Sequence, residues 1–129
     1  RVPLIKFESK DTHIQMDISF DKDNGPRNTR IVSKLLEEFP IAKSLMILIK
    51  YILKQKELNE VYTGGIGSYA LFLMIISFLQ HHETLPEYQT DPAPLLIDFC
   101  ELYGCEFNYY TTGISVRKYG SYFPKDEKG

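Results

Sequence analysis

Apolar positions alternate with polar ones at the start of the chain and recur at helical spacing after it. Val2 to Phe7 is an apolar run of strand length, followed by the polar connection Glu8-Ser9-Lys10-Asp11. From His13 to Phe20 the alternation is clean. Ile14, Met16, Ile18 and Phe20 share one face, and His13, Gln15, Asp17 and Ser19 share the other. This predicts a β-hairpin or two adjacent strands, and two strands alone are marginal, so they are expected to lean on further sheet or on helices. Asp21 to Asn28 is turn-rich around Asn24-Gly25-Pro26. A helix is predicted from about Asn28, capped by Asn28 or Thr29, with Ile31, Leu35 and Leu36 inward.

Pro40 separates that helix from a second one, in which Leu45, Leu48, Ile49 and Ile52 make an apolar stripe that should run out near Asn59. The loop Thr63-Gly64-Gly65-Ile66-Gly67-Ser68-Tyr69 then feeds a very apolar run, Ala70 to Leu79, which reads as a buried helix ending near Gln80-His81-His82. Glu83 to Pro94, with three prolines, reads as a surface linker. Leu95 to Tyr103 is a further amphipathic helix, expected to stop at Gly104. Gly113 to Phe123 predicts a small hairpin around Arg117-Lys118-Tyr119-Gly120, and a charged tail runs from Pro124 to Gly129. The fold class is mainly α with a small β part.

Composition narrows the options. At 129 residues, 43% hydrophobic and 25% charged, the chain is one ordinary domain, or one domain with a fragment of another attached, able to bury a core. Its net charge of −2 excludes a basic protein that coats nucleic acid, so nucleotide or RNA binding must rest on a local patch. Ala70 to Leu79 is too short to cross a bilayer, so no membrane partner is expected. Cys100 and Cys105 lack a His or Cys at metal spacing and read as reduced thiols. The opening Arg1-Val2-Pro3 does not look like a natural start, which predicts a piece of a larger protein.

The candidate chemistry centres on residues 45–72. Lys50 and Lys54 are one helical turn apart on one face. A Gly-rich loop opening a helix offers backbone N–H groups and the positive end of a dipole to a phosphate. Lysines and loop together would make a small anion cradle. Each signal has a blander counterpart: paired lysines usually form a solvated face, and GGxGS before a helix is more often a turn. Tyr69 is a stacking platform for a base or a packed ring, and Asp17 a strand-mounted metal ligand or an exposed strand residue. A hard cation needs more than one carboxylate, and the chain has no DxD pair. His81 and His82 diverge by about 100° on a helix and do not share a metal easily.

In order, RVPLIKF, IQMDISF, FDKDNG, KxxxKxxxLNxxxTGGxxSY, LLIDFCELYGCEFNYYTTGI and YFPK resemble the template-independent RNA nucleotidyltransferases. The likeness is to the TRAMP-type nuclear poly(A) polymerases of the polymerase β superfamily. It implies a central helical domain, 25–129, joined to the terminal strands of an incomplete α/β palm, 1–24. Asp17 then matches the third catalytic, metal-holding carboxylate. Lys50, Lys54 and Ser68 match residues on the nucleotide triphosphate, Tyr69 the residue stacked on the base, and Asn24 the one touching the ribose. The family's Gly-Ser motif and first two carboxylates lie upstream of Arg1, so this chain alone is expected to be inactive. The resemblance further implies ATP as substrate, Mg²⁺ or Mn²⁺ as cofactor, an RNA 3′ end, a zinc-knuckle RNA-binding protein and an RNA helicase as partners, and the nucleus as location. Two alternatives stay open: uridylyl instead of adenylyl transfer, and a non-catalytic helical module whose partner surface is Phe107 to Tyr110 with the hairpin after it.

Overall fold

The computed structural model describes residues 4–19, 24–82 and 91–125. Residues 1–3, 20–23, 83–90 and 126–129, on which parts of the predicted first strand, turn, linker and tail fall, lie outside this description. The chain divides into two compact units, Arg1–Lys34 and Leu35–Gly129.

The first unit holds an antiparallel hairpin of β1 (Leu4–Glu8) and β2 (Gln15–Ser19), and the start of α1 (Asn24–Glu38). The register pairs Ile5 with Ile18, Phe7 with Met16 and Lys6 with Asp17. The predicted alternation is therefore realised: Ile5, Phe7, Met16 and Ile18 form one face, Asp17 the other. That apolar face is exposed among the described residues. Helix α1 begins at Asn24, four residues before the predicted start. Pro26 falls in its first turn, where a missing N–H leaves no helical bond unmade.

The second unit carries the core. Helix α2 (Ala42–Gln55) buries Ala42, Leu45 and Ile49, a stripe at three- and four-residue spacing. Leu48 and Ile52, predicted to share it, are instead exposed. Helix α3 (Ser68–His81) is buried from Leu71 to Leu79 but for Leu73 and Met74, which are only partly covered. It packs against α2 and against the strand Thr112–Ser115. Leu35, at the end of α1, Leu95 and Phe99 complete this apolar interior.

Helix α4 (Pro92–Glu101) begins inside the predicted linker. The Asp91 side chain accepts from the Ala93 N–H at 2.9 Å, and Pro92 suits a first turn. Gly104 does not stop the helix. It sits in a wider, π-type turn, Leu102–Glu106, closed by the Phe107 N–H on the Leu102 carbonyl at 2.8 Å. The turn carries Tyr103 inward, where its hydroxyl donates to the Met74 carbonyl of α3 at 3.1 Å. Strands β3 (Thr112–Ser115) and β4 (Ser121–Pro124) form the second hairpin. Gln80 donates to the Val116 carbonyl at 3.2 Å, and the His81 ring stacks on Tyr122 with centroids 4.4 Å apart.

Burial pushes the Tyr103 phenol from 10.0 up to about 12, with the nearby Ser77 hydroxyl acting in the opposite direction. Burial raises Tyr109 in the same direction. Both phenols ionise more readily in the unfolded chain, so their contribution is complete below about pH 10 and is lost as pH rises toward 12. The denaturant midpoint of the chain should therefore fall as pH rises above about 10. Tyr103→Phe should make that alkaline fall shallower; an unchanged slope would remove Tyr103 as its source.

Candidate nucleotide-binding site

Lys50 and Lys54 lie on α2, away from its buried stripe, and both are exposed. Neither has an ion-pair partner among the described residues. Lys54 stands in the last turn, where the helix is closed by the Glu57 N–H on the Lys54 carbonyl, 3.1 Å, and the Leu58 N–H on the Leu53 carbonyl, 2.8 Å. Glu57 is left-handed there, with φ 57°. This is the helix-ending arrangement that usually takes glycine.

Across the following loop, α3 opens at Ser68. Gly67 precedes it without a side-chain cap, so the first-turn N–H groups of Ser68, Tyr69 and Ala70 have no helical acceptor. The Ser68 hydroxyl has no hydrogen bond among the described residues, and Tyr69 is 42% exposed, so its ring is not packed in the core. Unpaired N–H groups at a helix start beside a free hydroxyl suit an anion with several oxygens.

The glycine loop itself does not supply the donors expected of it. The Gly64 N–H is bonded to the Val61 carbonyl at 3.1 Å, Gly65 to Glu60 at 2.8 Å, and Ile66 to Leu58 at 2.9 Å. Those amides are used within the loop. The N–H groups left for an anion belong to α3.

Asp17 sits in the other unit, on β2. Its carboxylate is 3.6 Å from the Lys6 ammonium, both well exposed, beside a shallow hollow of about 240 Å³ that Lys6, Phe7, Glu8 and Gln15 also line. Asn24 is the first residue of α1, and its side chain lies outside the description. A hollow of about 300 Å³ between the end of α3, α4 and β4 is lined by His81, His82, Asp98 and Tyr122 among others, and none of the predicted site residues borders it. In it His82 bonds Asp98 at 2.9 Å, tying the end of α3 to α4. Among the described residues no three His, Cys, Asp or Glu side chains are grouped to hold a metal.

Residues 93–129 match the family described as Cid1 family poly A polymerase. The chain is 44% identical over 133 residues to the poly(A) RNA polymerase CID14 of Cryptococcus neoformans, an alignment covering 100% of this chain and 18% of that protein. With poly(A) RNA polymerase protein 1 of Saccharomyces cerevisiae it shares 36% over 130 residues, 97% of this chain and 20% of the relative. The Drosophila melanogaster protein Trf4-2, described as an inactive poly(A) RNA polymerase, is 37% identical over 89% of this chain and 30% of its own length. The fold matches a solved structure described as the polymerase core of TRAMP, a RNA surveillance complex. There the TM-score is 0.81 at 34% identity, over 96% of this chain and 40% of that one.

By sequence and fold the chain is thus related from end to end to the template-independent RNA nucleotidyltransferases, as its motifs imply. Within that class its likeness is to the poly(A) RNA polymerases of the TRAMP type. It spans about a fifth of the length of the first two of these relatives.

Proposed function

We propose that this chain holds ATP for the addition of AMP to RNA 3′ ends, as the central helical domain, 25–129, and the palm's terminal strands, 1–24, of a poly(A) RNA polymerase. The observation that carries this reading is the pair of ammonium groups, Lys50 and Lys54, without ion-pair partners among the described residues and joined through the connection 56–67 to an uncapped helix start bearing Ser68 and Tyr69. The lysines and the Ser68 hydroxyl hold the triphosphate, the ring of Tyr69 stacks on the base, and Asn24 bonds the ribose.

Asp17 fits a hard cation: it is an ionisable carboxylate on a strand, accessible, and paired among the described residues with an exposed lysine. One carboxylate does not make a Mg²⁺ site, so it serves alongside others outside this chain. When bound, such ions polarise the attacking 3′-hydroxyl and the phosphoryl oxygens. Asp17 supplies negative charge and a fixed oxygen. The lysines draw charge away from the departing pyrophosphate. The exposed apolar face of the β1–β2 hairpin is then the side that further palm structure covers.

The partners proposed with this activity are an RNA 3′ end, a zinc-knuckle RNA-binding protein and an RNA helicase, acting in the nucleus in RNA surveillance. The net charge of −2 agrees with RNA affinity being supplied by such partners.

The test is extension of an oligo(A) primer with ATP. The chain alone should add nothing. A complete polymerase, with the upstream carboxylates joined to it, should tail the primer, and UTP should be the poorer substrate. Tailing by the isolated chain would overturn the assignment of Asp17 as one ligand of several. Preference for UTP would replace adenylyl by uridylyl transfer. A complete protein inert with every nucleotide would leave the helical interaction module, as the relative described as inactive illustrates.

A further inference from the structure

We infer that Gly65 is a positioning residue for this pocket: the bare backbone at 65 lies against the Leu58 and Glu60 carbonyls and so fixes the span from Lys54 to the start of α3. The inference rests on the nucleotide reading above. The connection between the helices, residues 56–67, looks like a flexible loop in composition, yet hydrogen bonds run along it from one helix to the other. The Lys54 carbonyl takes the Glu57 N–H, and the Leu58 N–H reaches back to Leu53. The Leu58 carbonyl then takes the Ile66 N–H at 2.9 Å. The Glu60 carbonyl takes the Gly65 N–H at 2.8 Å, the Thr63 N–H at 3.2 Å and the Thr63 hydroxyl at 3.0 Å. The Gly67 carbonyl receives the Leu71 N–H at 3.0 Å, inside α3. The loop is a strut.

Its two glycines do different work. Gly64 has φ 85° and open space where a side chain would stand, so it serves conformation alone. A Cβ at Gly65 would lie 2.3 Å from the Leu58 oxygen, 2.5 Å from the Leu58 carbonyl carbon and 2.8 Å from the Glu60 oxygen. All three are backbone atoms and cannot swing aside. Close carbon–oxygen contacts stand at about 3.3 Å, so an alanine must drive residues 58–60 away from 65 by roughly 1 Å. That displacement falls between the groups that hold the triphosphate. A misplacement of about 1 Å, even when caused away from the chemistry, can lower the rate on the order of a hundredfold.

Steady-state tailing by a complete polymerase carrying this chain, with ATP and oligo(A) primer varied separately, decides the matter. Gly65→Ala is expected to raise the KM for ATP about tenfold or more and to leave the KM for primer within about twofold. Gly113→Ala is the control, since its methyl meets the Phe123 ring at 2.4 Å in the β3–β4 hairpin. It should lower the melting temperature without moving the KM for ATP. An unmoved KM for ATP in Gly65→Ala, or an equal rise for ATP and primer, overturns the inference. If Lys54→Ala still raises the KM for ATP in that case, the pocket stands without the strut. If Lys54→Ala also has no effect, the pocket itself falls. Should Gly65→Ala not fold, Thr63→Val removes only the hydroxyl bond to the Glu60 carbonyl. A KM for ATP raised severalfold is then expected, and an unchanged one overturns the inference equally.

Discussion

Asp17→Asn in a complete polymerase is expected to lower kcat by about a hundred- to a thousandfold, the range seen when one preorganised charge-stabilising group is removed from an active site. The substitution keeps the size and shape of the side chain and removes its charge, so the loss reads the carboxylate as an anion. Its structural effect should be slight. The Lys6–Asp17 pair is 3.6 Å long and well exposed on both sides. Such a pair contributes about 0–1 kcal/mol, and less as salt screens it. The KM for ATP should change little, because the triphosphate is assigned to Lys50, Lys54 and Ser68. Single-turnover AMP incorporation beside a thermal melt separates the two roles. A kcat within about tenfold of the parent, with the melt unchanged, would make Asp17 an ordinary exposed strand residue.

How much of this was legible in the sequence depends on whether one residue's neighbours in the chain are also its neighbours in space. The two faces of β2 follow from its alternation, and a slip of one residue against β1 would move Met16 and Ile18 to the face opposite Ile5 and Phe7. The burial of α3 follows from a continuous apolar run too long for a strand. Lys50 and Lys54 share a face by helical geometry. Other features were hidden because tertiary packing decides them. Leu48 and Ile52 are as apolar as Leu45 and Ile49, and only what packs against α2 says which pair is covered. Gly104 reads as a helix stop, yet the chain passes through it in a π-type turn that carries Tyr103 to Met74. The glycine loop was legible as a loop before a helix but not as a strut. Its amides are consumed by the carbonyls of Val61, Glu60 and Leu58, and only coordinates show that pairing. Glu57 gave no warning either, since a left-handed glutamate carries no mark in the sequence.

Lys50→Ala and Lys54→Ala should each raise the KM for ATP by about ten- to a hundredfold, since a hydrogen bond to a charged group is worth about 1.5–3 kcal/mol. Neither should destabilise the chain, because both side chains are exposed and unpaired among the described residues. The loss should follow the phosphates. Adenosine, which carries none, should inhibit the lysine variants and the parent equally well, whereas ATP should not. Tyr69→Ala should show the other pattern and weaken adenosine and ATP together, because stacking, worth about 1–3 kcal/mol per base, acts on the ring common to both. Raising the salt concentration should weaken ATP binding to the parent more than to the double lysine variant, as screening acts only on the charges that remain. A lysine variant that loses adenosine and ATP alike would mean that the residue shapes the fold of the pocket. Two variants with unchanged KM would return Lys50 and Lys54 to the solvated face that their spacing alone describes.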